Sequence, residues 1–355
     1  MERKLPSSIT LIVYSLLTTF FNQVLIVPFI YKLNFKLSFF VLLIAYFIQV
    51  TIFILIKFLY ERIRINSLLY YKIRSEKLYK IYWIIHLIIS ITILFLLTYF
   101  FFSFIDNYFF VNAKYIFIVP LLFIIGIYGI SKSFYSIFQL GTLVFLLLTI
   151  QFIIFSFAPK TIDISVFLPI DLTNNGANIR IFYICISLIL FPILSIPLGD
   201  KASNPYTYKE IIIISIITYI SNAYFLFMQT RQLGALLTYV NYPFYIIFDA
   251  LDLGYYSEHL YIVPVTLCLI TTFIFILFLL HSIKEISFSK KSYILGLFTL
   301  ILLISMYLFR EIYIFDFLIN LFIYLLPSLL FFFLIFSFIV FRKGGKNYEK
   351  DTQHY

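Results

Sequence analysis

The side chains best placed to do chemistry are uncharged and sit inside long apolar runs. Asn22 and Gln23 fall midway along an apolar stretch that begins at Ile9. Their amides can hydrogen-bond a ligand or a neighbouring helix. Pro192, Ser195 and Pro197 interrupt a second run, followed by Gly199. A proline has no N–H and frees a carbonyl four residues upstream. Two prolines five apart therefore leave backbone acceptors that a ligand amine or a neighbouring helix could use, with the Ser195 hydroxyl beside them. Asp249 and Asp252 stand at i, i+3, on one face of any helix formed there. An acidic pair of this kind can attract a cationic amine, or it can be a plain solvated face.

Metal and nucleophile chemistry find no such pattern. The four histidines, His86, His259, His281 and His354, have no ligand spacing, and Cys185 and Cys268 form no CxxC. HExxH, GxSxG, P-loop and dinucleotide fingerprints are absent from the sequence. The reading is therefore not an enzyme, with no metal and no cofactor.

The elements that must position these residues follow from composition. Of 355 residues, 63% are hydrophobic and 12% charged. A soluble domain carries about 25% charged residues, so too few charges exist to clothe a water-soluble fold. Lipid admits only helices and closed barrels, because it leaves no backbone polar group a water to bond. A barrel strand alternates polar and apolar side chains. Here the apolar runs are continuous, as in 211–227 and 325–341. The fold class is an all-α polytopic membrane protein.

A span needs roughly 20 apolar residues. Ten segments qualify: 9–31, 35–59, 81–105, 114–131, 135–158, 179–199, 210–230, 260–281, 292–309 and 317–341. The first is longer than a signal-peptide core and ends at Pro28, so it reads as a retained span. Lys57 closes the second and is placed to snorkel. His86, early in the third, reads as an interfacial histidine reaching headgroups. No Asp or Glu lies at the centre of any segment, which counts against a proton-coupled relay.

The segment 233–256 is apolar but broken by Asn241, Pro243, Asp249, Asp252 and Gly254. Basic residues decide its role through the positive-inside rule. Ten spans with both termini cytoplasmic put nineteen Lys and Arg inside and seven outside; an eleventh span would divide them thirteen and thirteen. The segment therefore reads as re-entrant or interfacial on the outer face, within a membrane domain over 1–341. A polar cytoplasmic tail, 342–355, follows. The net charge of +10 is the inside bias of a membrane protein, not a nucleic-acid footprint. Segments one and six are the most interrupted, and they stand five apart. Transporters built from five-plus-five inverted repeats break the first helix of each half and bind substrate at the breaks.

Several local patterns resemble the spore germination permease family, the B subunits of nutrient germinant receptors within the amino acid–polyamine–organocation superfamily. The stretch LGALLTYVNYPFYIIFDALDLGYYSEHL, 233–260, is similar to the family's Gly, Tyr-Pro pair, turn and acidic residue. Gly234, Tyr242, Pro243, Gly254 and Glu258 fall on that pattern. Phe167-Leu168-Pro169-Ile170 is like the family's Leu-Pro element before span six. The chain departs at Ser257, where an Arg is usual, and at Tyr261-Ile262-Val263-Pro264, where a Trp is common. The first-span position that is commonly Gly falls here at Phe21 or Asn22, and an Arg common after span four has no counterpart near Lys132 to Ser136.

The resemblance implies a membrane subunit that senses a small nutrient such as an amino acid, in the cell membrane or spore inner membrane, with A and C receptor subunits as partners. The breaks in segments one and six make Asn22, Gln23, Pro192, Ser195 and Pro197 the candidate ligand contacts, and Tyr242, Pro243, Asp249 and Asp252 in the interrupted segment are candidates for an outer gate. An amino-acid or organic-cation permease of the same fold is the alternative. A cell-envelope enzyme acting through Asp163, Arg180 and Arg231 is a third reading, disfavoured by the missing catalytic cluster. The topology predicts that a cysteine introduced within 346–355 reacts with an impermeant maleimide only after the membrane is opened; labelling in intact cells would reverse the orientation.

Overall fold

A computed structural model describes residues 38–63, 76–108, 118–156, 207–240, 262–287 and 291–308. It also describes Val13, Thr19, Phe20, Gln23 and Ile246, and eight positions between Phe317 and Ile335. No strand occurs among the described residues. The helices are α1 (Ser38–Ile63), α2 (Glu76–Tyr108), α3 (Ile118–Ser131), α4 (Phe134–Ser156), α5 (Tyr208–Leu233), α6 (Ile262–Ser287) and α7 (Lys291–Leu308). They coincide with seven of the ten predicted segments. Three stretches among the described residues are long and apolar enough to cross a membrane: Ile84–Ile105, Tyr208–Leu233 and Thr266–Lys284.

Local chemistry sets where α5 begins and ends. Thr207-x-x-Glu210 forms a capping box: Glu210 N–H donates to Thr207 Oγ1 at 3.1 Å, and Thr207 N–H donates to Glu210 Oε2 at 2.8 Å. The helix stops at Gly234, whose φ of 50° lies in the region that favours glycine. A 3₁₀ turn, Gly234–Thr238, follows. This turn opens the segment 233–256. Apart from Ile246, the part beyond 240 lies outside the described residues.

Helix α6 is the centre of the bundle, packed by α2, α3, α4 and α7, while α1 lies against α5. The pairs α2–α7 and α3–α7 also pack together. Phe100, Phe102, Phe104, Phe275, Phe278 and Phe298 are fully buried, so part of the aromatic excess fills the core. Close approach depends on two glycines of α3. A Cβ on Gly126 would overlap the Phe298 ring of α7, and one on Gly129 would overlap Leu277 of α6. In lipid the tails are as apolar as the helices, so tight contact between small residues replaces the hydrophobic drive.

Two polar contacts tie helices together inside this core. Thr98 and Ser305, both without exposure, join α2 to α7 through their hydroxyls at 2.8 Å. Lys284 Nζ donates to the Ile130 carbonyl at 3.3 Å, placing a cation at the C-terminal end of α3.

The exposed and buried faces of α5 invert the soluble pattern. Ile212, Ile213, Ile216, Ile217 and Ile220 face outward, whereas Ser215, Thr218, Asn222, Gln229 and Thr230 are buried. On α1, Leu43, Ile44 and Phe47 are exposed while Gln49 is buried. An outer surface of isoleucine and phenylalanine suits hydrocarbon, not water.

Glycine contacts yield a matched expectation. Gly126→Val should lower the unfolding temperature in detergent, at a cost of about 1–3 kcal/mol for overpacking. Gly296→Ala, whose Cβ meets nothing within 4 Å, should leave it unchanged or raise it, since Ala is the better helix former. Thermal unfolding of the two purified variants checks the pair.

Candidate functional site

Of the five buried polar residues of α5, those at 215, 218, 222 and 229 have spacings of three, four and seven that place them on one helix face, with Thr230 beside it. That face meets α1, and Thr19 and Gln23 reach it from the first apolar segment. Each hydroxyl or amide there must find a partner inside the protein, because hydrocarbon offers none. Thr218 Oγ1 returns to the Ile214 carbonyl at 2.8 Å. Thr230 Oγ1 does the same with Leu226, also at 2.8 Å.

Asn222 is the hub. Its Nδ2 donates to the Thr218 carbonyl at 2.9 Å and reaches Thr19 Oγ1 at 3.5 Å. Its Oδ1 therefore faces the other way and needs a donor. Gln23 Nε2 supplies it at 2.9 Å and also reaches the Asn222 backbone carbonyl at 3.2 Å. Both partners of that nitrogen are acceptors, so the Gln23 amide can sit in only one orientation. Its Oε1 is left buried, with no hydrogen-bond partner among the described residues.

One turn away, α1 contributes Tyr46. Its ring packs on Tyr219 with centroids 4.8 Å apart. The Tyr46 and Ser215 hydroxyls are both buried, and neither has a hydrogen-bond partner within 3.5 Å among the described residues. At the start of α5, Lys57 Nζ sits 4.5 Å from the centre of the Tyr208 ring. The snorkelling expected of Lys57 is thus modified: 9% exposed, the ammonium rests on an aromatic face, which attracts it electrostatically.

Of the residues singled out from sequence, Gln23 is described and lies in this seam. Asn22, Pro192, Ser195, Pro197, Tyr242, Pro243, Asp249 and Asp252 lie outside the described residues. Sequence reasoning passed over Asn222, Thr218, Ser215 and Tyr46. The heptad-like recurrence of polar side chains in a stretch without a charge from Ile211 to Thr230 was the available signal. His86 departs from the interfacial expectation. It is 1% exposed, and its Nδ1 lies 3.2 Å from Ser90 Oγ on the next turn of α2.

Scanned against protein-family models, the chain matches none, and a search of curated proteins finds no match. Site chemistry must therefore be argued from the seam itself. It offers amide and hydroxyl groups with no ionised partner, an arrangement suited to holding polar groups by hydrogen bonds.

The Gln23–Asn222 contact can be weighed by a double-mutant cycle. Gln23→Leu and Asn222→Leu should each destabilise the protein in detergent by about 1–3 kcal/mol, because each strands a buried partner. The double variant should cost less than the sum, with a coupling of about 0.5–1.7 kcal/mol. Strict additivity of the three unfolding free energies would mean that the pair does not interact.

Proposed function

We propose that this chain is the membrane subunit of a nutrient germinant receptor, which senses a small nutrient such as an amino acid and triggers spore germination. The observation that carries the reading is the 233–260 stretch, with Gly234, Tyr242, Pro243, Gly254 and Glu258 on the family pattern. Ten spans, both termini cytoplasmic, and a five-plus-five inverted repeat belong to the same proposal. Helix pairing supports it. In the order of the predicted segments, α1 and α5 are second and seventh, α2 and α6 third and eighth, and α3 and α7 fourth and ninth. Each pair packs together. The cross-pairs α2–α7 and α6–α3 also pack, and they are exchanged by the operation that swaps the halves. A twofold relation between repeats generates this pattern of neighbours.

On this reading a zwitterionic nutrient binds between the broken parts of segments one and six. Backbone N–H groups and Asn22 meet its carboxylate. Carbonyls freed by Pro192 and Pro197, with Ser195, meet its amine. Half-helix N-termini favour an anion because their N–H groups are unpaired and the dipole is positive there. The receptor's A and C subunits would relay occupancy onward. The absence of Asp and Glu from the centre of every predicted segment favours sensing over proton-coupled uptake, since a relay needs an ionisable group at depth.

Deletion of the gene should leave vegetative growth intact and abolish the spore's response to one class of nutrient, read as loss of refractility after nutrient addition. Uptake of labelled amino acids by growing cells that vanishes on deletion would instead identify a permease of the same fold.

A further inference from the structure

The turn between α3 and α4 carries a charge in a stretch that otherwise has none. Lys132 is the only charged residue from 115 to 159. Its N–H donates to the Tyr128 carbonyl at 3.2 Å, so it prolongs the last turn of α3, and its Nζ lies 4.8 Å from the centre of the Tyr128 ring. A second cation reaches the same helix end from α6, where Lys284 Nζ donates to the Ile130 carbonyl at 3.3 Å. Two ammonium groups far apart in sequence are thus held on one turn. Helix α7 begins at Lys291, just after α6 ends at Ser287. The sequence adds Lys290 there, and Glu285 is the single acidic residue from 280 to 295. This end of the bundle is strongly basic.

An apolar stripe leads up to that charge. Ile124, Ile127, Tyr128, Ser131 and Lys132 recur at i, i+3, i+4, i+7 and i+8, which is one face of α3, and all five are exposed. Ile124 is 61% exposed and Tyr128 55%. Helices α3 and α4 are joined by two residues, yet each packs on α6 and neither packs along the other. The next helix in the chain therefore leaves the stripe open. From Ile124 to Lys132 the stripe runs about 12 Å at 1.5 Å per residue. Isoleucine belongs in hydrocarbon and an ammonium at its edge, so Lys132 marks the level of the headgroups.

An amphiphile with an anionic head fits both parts. An ammonium has three donors, and Lys284 spends one of them on Ile130. Basic pockets between helices hold lipid phosphates in this way. A soluble anion would satisfy the lysines and leave the stripe unused. A zwitterionic lipid brings a cation of its own, which two lysines repel. We propose that the α3–α4 turn is a binding site for one anionic phospholipid, with its phosphate held by Lys132 and Lys284 and an acyl chain laid along Ile124, Ile127 and Tyr128. The proposal needs the chain to lie in a membrane and takes nothing from the germinant-receptor reading. Because Lys284 also ties α6 to the end of α3, the lipid would brace the junction of those two helices.

Native mass spectrometry of the purified full-length protein tests this, with phosphatidylglycerol or phosphatidylcholine titrated in detergent. The expected result is a saturable adduct of one phosphatidylglycerol at concentrations where phosphatidylcholine gives none. Lys132→Ala should weaken the apparent affinity about fivefold, the size expected of one lysine near an anionic headgroup. Lys284→Gln should do the same, with its unfolding temperature measured alongside because it also loses the bond to Ile130. Should that variant fail to fold, the exposed Lys132 carries the test. Lys209→Ala, which removes an exposed lysine at the start of α5, should change nothing. Excess inorganic phosphate should not displace the lipid. Equal binding of the two lipids, unchanged affinity in Lys132→Ala, an equal loss in Lys209→Ala, or displacement by inorganic phosphate would each overturn the inference.

Discussion

Hydrocarbon cannot hydrogen-bond, and the arrangement of this protein follows from that constraint. Backbone groups close their own bonds in helices. Thr98, Thr218, Thr230, Thr271 and Thr272 bond back to carbonyls of their own preceding turn, the local solution open to a hydroxyl with no water nearby. Amides cannot do this as fully, because each carries two donors and an acceptor at fixed angles. Asn222 and Gln23 therefore reach across between elements, and the contact they make links the first segment to α5.

The same constraint changes what holds helices together. In water, α5 would turn its isoleucines inward; here Ile212, Ile213, Ile216, Ile217 and Ile220 face out, and polar residues face in. Association then rests on dispersion and fit. Helix α6 achieves this by packing against four neighbours, with Gly126 and Gly129 letting α3 approach it and α7 together. Six fully buried phenylalanines fill the remaining volume with rigid, densely contacting rings.

Packing leaves some polar groups with spare hydrogen-bonding capacity, among them Gln23 Oε1 and the Ser215 hydroxyl. Around them the seam of α1 and α5 holds amide and hydroxyl groups, and neither helix carries a charged residue between Ser38 and Ile56 or between Ile211 and Thr230.

Helix positions were legible in the sequence because apolar run length is a one-dimensional property: seven predicted segments coincide with helices within a few residues. The start of α5 was written locally in Thr207 and Glu210, and its end in Gly234. Which polar residues matter was not legible in the same way. Gln23 could be singled out by its place in an apolar run, but Asn222, 199 residues away, becomes its partner only in the folded chain. The burial of His86 and the pairing of Thr98 with Ser305 likewise depend on helix rotation and on which helices are neighbours. Hydrophobicity decides that a segment enters lipid; side-chain fit across the bundle decides which face it turns inward, and that choice is made in three dimensions.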